Sequence, residues 1–274
     1  MRSVMADSFF IPEPQAGFDL FSRAKNAIHR IFAIPFSISS AIDQQAAAER
    51  SGHPHDARRA TQILLLSALL LMLVYAFCQP TTFVSLFGNL LAQSPRLSRY
   101  IQLCSLSYWC LMRMFLLVLV PMIHLRIWGE RLSDYGLSRG FSSAASPPAV
   151  GAEAVPRVSL RTYLALLLLM LPIVAAMSFS PSFQRAYPLY RQASRSLIEL
   201  VVWELEYLST FFPIEFFFRG YLLFGLRRAL GSQALFVAVL PYCMFHFGKP
   251  PAEALASILA GLILGTLAQA SRAI

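Results

Sequence analysis

Long apolar runs recur along most of this chain, and they limit the folds that it can adopt. One of them, ILLLSALLLMLVYAFC (63–78), holds no charged side chain and approaches the ~20 residues that a helix needs to cross a bilayer. Only 14% of all residues are charged, and 57% are hydrophobic. A soluble domain carries about 25% charged residues. Because the runs are continuous rather than alternating, they indicate helices and not a β-barrel. The sequence therefore predicts an all-α, polytopic transmembrane helical bundle.

The apolar runs and their polar or proline-containing boundaries predict about six spans. These cover approximately residues 63–78, 101–123, 163–179, 197–226, 235–247 and 252–270. We expect a polar to amphipathic N-terminal region over residues 1–60 and a transmembrane domain over residues 61–274. Apolar side chains at helical spacing within 18–32 predict a helix there. It lies either in the membrane interface or against the protein's own cytosolic side.

The net charge of +9 is explained by arginines that flank the spans. No basic block with interleaved aromatic residues is present, so nucleic acid is not expected as a partner, whereas membrane lipid is. With the N-terminus inside, the inner flanks carry more positive residues than the outer flanks, which favours a cytoplasmic N-terminus. A cleavable signal peptide is not expected, because the first apolar run starts too far into the chain.

Ionisable residues interrupt one apolar stretch, WELEYLSTFFPIEFFFRG (203–220). Glu215 and Arg219 are four residues apart, so they can pair on one helix face. Pro213 removes a backbone donor just before Glu215 and should kink the helix there. Glu204 lies eleven residues before Glu215 and returns to nearly the same face. Because an ion pair in an apolar segment costs free energy, this stretch is a candidate functional site.

A histidine follows on the next predicted span, in YCMFHFG (242–248). Gly231 predicts a turn that folds the two helices antiparallel. Glu215 precedes this turn by about 16 residues and His246 follows it by about 15, so both are expected at a similar depth. A carboxylate there can act as a general base towards water, and a histidine can hold the same water or stabilise a developing oxyanion. The alternative is a Glu215–Arg219 pair that only locks helix packing, with His246 hydrogen-bonded to backbone.

Signals for metal binding elsewhere in the chain are weak. His53, His55 and Asp56 have ligand chemistry, but a proline-containing loop beside two arginines is more often a solvated flank. Four cysteines fall inside predicted spans without zinc-ligand spacing, which favours a structural role: Cys78, Cys104, Cys110 and Cys243.

Other polar and small residues within the spans predict packing. Arg113 lies inside the second predicted span, so it must face other helices or snorkel towards the interface. Gly261 and Gly265 form a small-xxx-small pair, which predicts close packing against the fourth or fifth span rather than a dimer contact. Lys249 and Glu253 are four residues apart and are expected to pair at the membrane surface in a structural role.

Two stretches in this order, IEFFFRGYL (214–222) and YCMFHFGKP (242–250), resemble the CPBP family of intramembrane proteases. That family includes the CAAX prenyl endopeptidases and bacteriocin-processing or self-immunity relatives. GERLSDYGL (129–137) and AGLILGTLA (260–268) add weaker support, and the resemblance is strongest across 203–268.

The family motifs map onto this chain residue by residue. In the family's Glu-Glu-x-x-x-Arg motif the second Glu matches Glu215 and the Arg matches Arg219. In its Phe-x-x-x-His motif the His matches His246, with Tyr242 in the Phe position.

The resemblance implies a helical intramembrane endopeptidase of the bacterial inner membrane. Its substrates would be membrane-associated peptides or proteins, prenylated or leader-bearing. It assigns Glu215, Arg219 and His246 to a catalytic site that activates water. Members of the family were once assigned as metalloproteases, so a divalent metal such as zinc is a further expectation. The alternative is a non-catalytic membrane scaffold or bacteriocin self-immunity protein that keeps the fold.

Two departures from the family bear on activity. Ile214 stands where the family has its first Glu, so Glu215 takes over, the site works differently, or it is inactive. The family's later His-x-x-x-Asn/Asp motif would be expected after Ile274, so we expect a C-terminally truncated chain or one that lacks this part of the site. A small-solute transporter is not favoured, because no internal repeat with paired broken helices is visible. No sequence feature indicates an oligomeric state.

Overall fold

A computed structural model describes residues 39–48, 56–137, 160–272 and 274. Over these residues the secondary structure is helical and contains no strand, so the predicted all-α fold is confirmed. The amphipathic stretch within 18–32 and the candidate ligands His53 and His55 lie outside the described residues.

The chain is a succession of helices joined by short turns. The α-helices are α1 (39–48), α2 (Asp56–Phe77), α3 (Pro80–Ala92), α4 (Pro95–Ser98), α5 (Ile101–Met114), α6 (Val120–Ile127), α7 (Leu160–Ser178), α8 (Pro181–Ala186), α9 (Leu197–Ser209), α10 (Phe211–Glu215), α11 (Gly225–Leu230), α12 (Ala234–Met244) and α13 (Pro251–Ser271). Two π-helical segments, Phe115–Leu119 and Phe216–Phe224, continue α5 into α6 and α10 into α11. Short 3₁₀ turns lie at Leu132–Tyr135, Ala193–Arg195 and Gly231–Gln233.

Within the described residues, five helical stretches are long and apolar enough to cross a membrane. They are Asp56–Phe77, Ile101–Ile127, Leu160–Ser178, Leu197–Met244 and Pro251–Ser271. The separate fifth span predicted at 235–247 is wrong as a full crossing. Helix α12 has 11 residues, and at 1.5 Å per residue it reaches only ~16 Å, about half of a ~30 Å hydrocarbon core.

A sharp reversal at Gly231 folds the fourth stretch back on itself. Gly231 has φ 59° and ψ −133°, a combination that is essentially open to glycine alone. The rings of Phe218 and Tyr242, which lie on opposite sides of this glycine, are 5.4 Å apart. Helix α12 therefore runs antiparallel to the π-helical segment Phe216–Phe224, as the turn at Gly231 predicted.

Helix α1 contacts this reversal from the N-terminal side. One carboxylate oxygen of Asp43 accepts the backbone N–H of Ser232 at 2.7 Å, and the other accepts its hydroxyl at 3.1 Å. Gln45 accepts a hydrogen bond of 2.8 Å from Arg227. The bond to Asp43 satisfies the backbone N–H of Ser232, just before α12, and the bond to Gln45 ties α11 to α1. Segment 39–48 is therefore part of the support for the reversal.

Helix α13 packs antiparallel on α12 through two glycines. A Cβ added to Gly261 would lie 3.0 Å from Cδ1 of Tyr242, and one added to Gly265 would lie 2.4 Å from Cδ1 of Leu235. At these distances the opposing side chain would have to shift to admit a Cβ, so the two backbones approach closely. The packing predicted for this small-xxx-small pair is confirmed, and its partner is α12.

We expect Gly265→Ala to destabilise the helical bundle by about 1–3 kcal/mol, the usual cost of overpacking. The added methyl meets the tip of Leu235. The same substitution should cost less in a Leu235→Ala background, because the opposing methyl groups are then gone. Thermal unfolding in detergent of the four chains in this double-mutant cycle measures the coupling. Equal costs in both backgrounds would show that the contact at Leu235 does not limit the packing.

Candidate active site

Glu215 and Arg219 form the ion pair that their spacing predicted. Helix α9 ends at Ser209, and α10 begins at Phe211 with Pro213 in its first turn, where a missing backbone N–H costs little. The predicted break beside Glu215 is therefore present. Glu215 ends α10, and Arg219 lies within the π-helical segment that follows.

The two partners of this pair differ in exposure. The side chain of Arg219 is 5% exposed, whereas that of Glu215 is 37% exposed. The guanidinium is thus enclosed by the bundle, while the carboxylate opens away from it. A carboxylate facing hydrocarbon would be costly, so we expect the Glu215 carboxylate to reach water.

His246 lies in the turn after α12 rather than within the helix. Its Nδ1 is 2.9 Å from the carbonyl oxygen of Tyr242. Because a carbonyl oxygen only accepts, Nδ1 carries the proton, and Nε2 of the neutral ring is then an acceptor. In this state His246 can hold a water through one of that water's hydrogens, which favours the water-holding role over the oxyanion role.

Tyr242 connects the two parts of the site. Cζ of Arg219 lies 5.1 Å from the centre of its ring, and the ring of His246 lies 4.9 Å from it. A small, mostly apolar cavity borders Arg219 and Tyr242, between the π-helical segment and helices α12 and α13, and its lining includes neither Glu215 nor His246. The structure thus links Glu215, Arg219 and His246 through Tyr242. No contact between Glu215 and His246 is among the interactions of the described residues.

This contact pattern predicts a difference between two Tyr242 variants. Tyr242→Phe keeps the aromatic face against Arg219 and His246, so we expect cleavage within about twofold of the unmodified chain. Tyr242→Ala removes a contact of the kind worth about 0.5–2 kcal/mol when desolvated and leaves a cavity, so cleavage and thermal stability should both fall. Loss of cleavage in Tyr242→Phe would instead show that the hydroxyl takes part.

Lys249 and Glu253 pair as predicted, at 3.4 Å, and a third residue joins them. Tyr187 donates to Glu253 at 2.9 Å and accepts from Lys249 at 2.7 Å. Burial, reinforced by the Glu253 carboxylate, raises the pKa of Tyr187, so its hydroxyl stays protonated and available to donate. This cluster ties the turn that carries His246 to the segment after α8. Tyr187 could not be predicted as a member of this cluster, because it lies more than 60 residues before Lys249 and Glu253 in the chain.

Ile214, which occupies the position of the family's first Glu, is partly buried and packs against the main apolar core. Its neighbour Glu215, one position on, is the carboxylate that meets Arg219. Where the family motif has two adjacent glutamates, this chain therefore has one apolar side chain, Ile214, and one carboxylate, Glu215.

The donor set of the described residues does not fit a protein-bound metal. No group of three or more His, Cys, Asp or Glu among them is arranged to hold one. A catalytic zinc needs three protein ligands, whereas the described site offers Glu215, which Arg219 already engages, and His246.

Comparison with known proteins gives one match. Residues 197–274 match the model of a family described as type II CAAX prenyl endopeptidase Rce1-like. No curated protein and no solved structure matches the chain. The match begins at the first residue of α9 and includes Glu215, Arg219 and His246.

At the level of the family, this match supports a protease-type enzyme. Together with five apolar stretches long enough to cross a bilayer, it fits an integral membrane protein. The resemblance to the CPBP family of intramembrane proteases is thereby confirmed over residues 197–274, the part of the chain that carries the candidate site.

Proposed function

We propose that this chain is an intramembrane endopeptidase of the CPBP type. It would hydrolyse peptide bonds of membrane-associated peptides or proteins, prenylated or leader-bearing, in a bacterial inner membrane with its N-terminus in the cytoplasm. The observation that carries the proposal is the Glu215–Arg219 pair, in which a partly exposed carboxylate is held by a buried guanidinium inside the family-matched segment.

In the proposed reaction a water lies between the Glu215 carboxylate and Nε2 of His246. Glu215 takes a proton from this water as its oxygen attacks the scissile carbonyl carbon. The tetrahedral intermediate then collapses, the carbon–nitrogen bond breaks, and the proton passes from Glu215 to the departing amine. Arg219 keeps the carboxylate aimed at the water and has no share in the proton transfers.

The second candidate is a non-catalytic membrane scaffold or self-immunity protein with the same fold. Two observations favour it: Ile214 packs into the core where the family has a Glu, and His246 is hydrogen-bonded to backbone.

Incubation of the purified protein in detergent with a farnesylated peptide or a leader peptide, followed by mass spectrometry, tests the proposal. We expect two fragments from one internal peptide bond, at a rate proportional to the amount of protein. If both the farnesylated peptide and the leader peptide remained intact after prolonged incubation with folded protein, the result would favour the scaffold.

A further inference from the structure

Arg113 is a cation inside the bundle that has no counter-ion among the residues the structure describes. It lies near the middle of the stretch Ile101–Ile127, about 18–21 Å of helix from either end. Its Nε is buried and makes no hydrogen bond, and no ion pair of Arg113 occurs among the described residues. Cys78, Cys110 and Tyr207 lie close enough to act on its charge, and none of these three carries a negative charge at neutral pH.

Two aromatic rings lie against the Arg113 guanidinium. Its Cζ lies 3.9 Å from the centre of the Trp109 ring and 4.5 Å from that of Phe245. Cation–π contacts of this kind fix the plane of the group, but they leave its N–H edge without partners. A planar fork of donors held in this way suits a carboxylate, which it can bind through two parallel hydrogen bonds.

The guanidinium of Arg113 lies close to the candidate active site. Phe245, against which the guanidinium stacks, immediately precedes His246 in the turn after α12. The same ring lies 5.7 Å from Phe218, the residue before Arg219. An anion on Arg113 would therefore lie beside the residues that are proposed to activate water. At this depth a lipid phosphate, which belongs to the membrane surface, is not the expected partner.

We propose that Arg113 binds a carboxylate of the substrate, namely the free C-terminal carboxylate of a peptide that enters the site. This inference rests on the proposed function, because it places a substrate beside Glu215 and His246. It adds a specificity element: a peptide acid would be preferred over the matching peptide amide. Arg113 is then a binding residue, and it takes no part in proton transfer.

Binding of two matched probes tests this without requiring catalysis. Each is a fluorescein-labelled peptide that ends in a farnesylated cysteine and three apolar residues, N-methylated at the bond after the cysteine so that it is not cleaved. One carries a free C-terminal carboxylate and the other an amide. By fluorescence anisotropy in detergent, we expect the acid to bind about 10-fold or more tightly than the amide, the range of a charge-assisted hydrogen bond.

Variants assign the preference to Arg113. Arg113→Gln should bind both probes like the amide, and Arg113→Lys should keep part of the preference. Arg185→Gln removes a charge from an exposed position and should leave the preference unchanged. Thermal unfolding establishes that each variant is folded. The comparison of the two probes in the unmodified chain does not depend on any variant being folded.

Equal affinity of the unmodified chain for both probes, or a preference that persists in Arg113→Gln, would overturn the inference. So would an Arg113-dependent stabilisation by phosphatidylglycerol that outcompetes the acid probe, since the anion bound would then be a lipid phosphate. A preference for the acid in a chain that cleaves no peptide would refute the proposed enzyme and leave the binding site standing.

Discussion

Glu215→Gln should lower the rate of peptide hydrolysis by about 10²–10⁴-fold, the usual contribution of a general base. The amide is nearly the same size as the carboxylate and still accepts from Arg219 through its oxygen, but it cannot take a proton from water. The fold should therefore survive, since the partly exposed side chain packs little of the core. Initial rates on the farnesylated peptide, with thermal unfolding in parallel, measure both effects.

A matched control for this substitution is Glu204→Gln. Glu204 lies on α9, within the same crossing, and its side chain is exposed. We expect it to cleave at the rate of the unmodified chain. His246→Ala should lose activity to an extent similar to Glu215→Gln, because both residues would hold the same water. If Glu215→Gln and His246→Ala both cleaved normally, the water-activation mechanism would be wrong.

Gly231→Ala should have the largest effect on the fold. Alanine at φ 59° and ψ −133° is strained by about 1–3 kcal/mol. Its methyl would also lie 2.1 Å from a carboxylate oxygen of Asp43, which holds the start of α12. We expect a clear fall in thermal stability and a loss of cleavage, because the reversal at Gly231 sets the depth of His246 relative to Glu215.

Gly129→Ala separates the effect of backbone strain from the effect of the clash with Asp43. Gly129 also has positive φ, at 71°, but a Cβ there would meet nothing within 4 Å. It should therefore lose stability through backbone strain alone and retain cleavage. Should Gly231→Ala prove no more harmful than Gly129→Ala, the contact between Asp43 and the reversal would not be a support of the site.

The features of this fold that depend on local sequence were predictable. Runs of apolar residues without charge predicted the positions of most spans. The four-residue spacing of Glu215 and Arg219 predicted the ion pair between them. The small side chains of Gly261 and Gly265 likewise predicted a close helix contact, because a missing Cβ has the same consequence in any helical bundle.

Other features depended on contacts between distant residues. The apolar run after Gly231 gave no sign that α12 ends at Met244, well short of a full crossing. The chain leaves the helix at the turn that holds His246, which the Tyr187, Lys249 and Glu253 cluster ties down. The contact of Arg113 with Phe245 was equally hidden, since that ring reaches it only through the fold.

The central claim is that Glu215 and His246 face one wet space, and cysteine cross-linking in native membranes tests it most directly. With the four natural cysteines replaced, Glu215→Cys and His246→Cys should be joined by the shortest bifunctional methanethiosulfonate. The pair Phe218→Cys and Tyr242→Cys, whose native rings are 5.4 Å apart, serves as the positive control, and Glu204→Cys with His246→Cys as the negative control. The account predicts efficient cross-linking of 215 to 246. Cross-linking of the control pair 218–242 without that of 215–246 would contradict it.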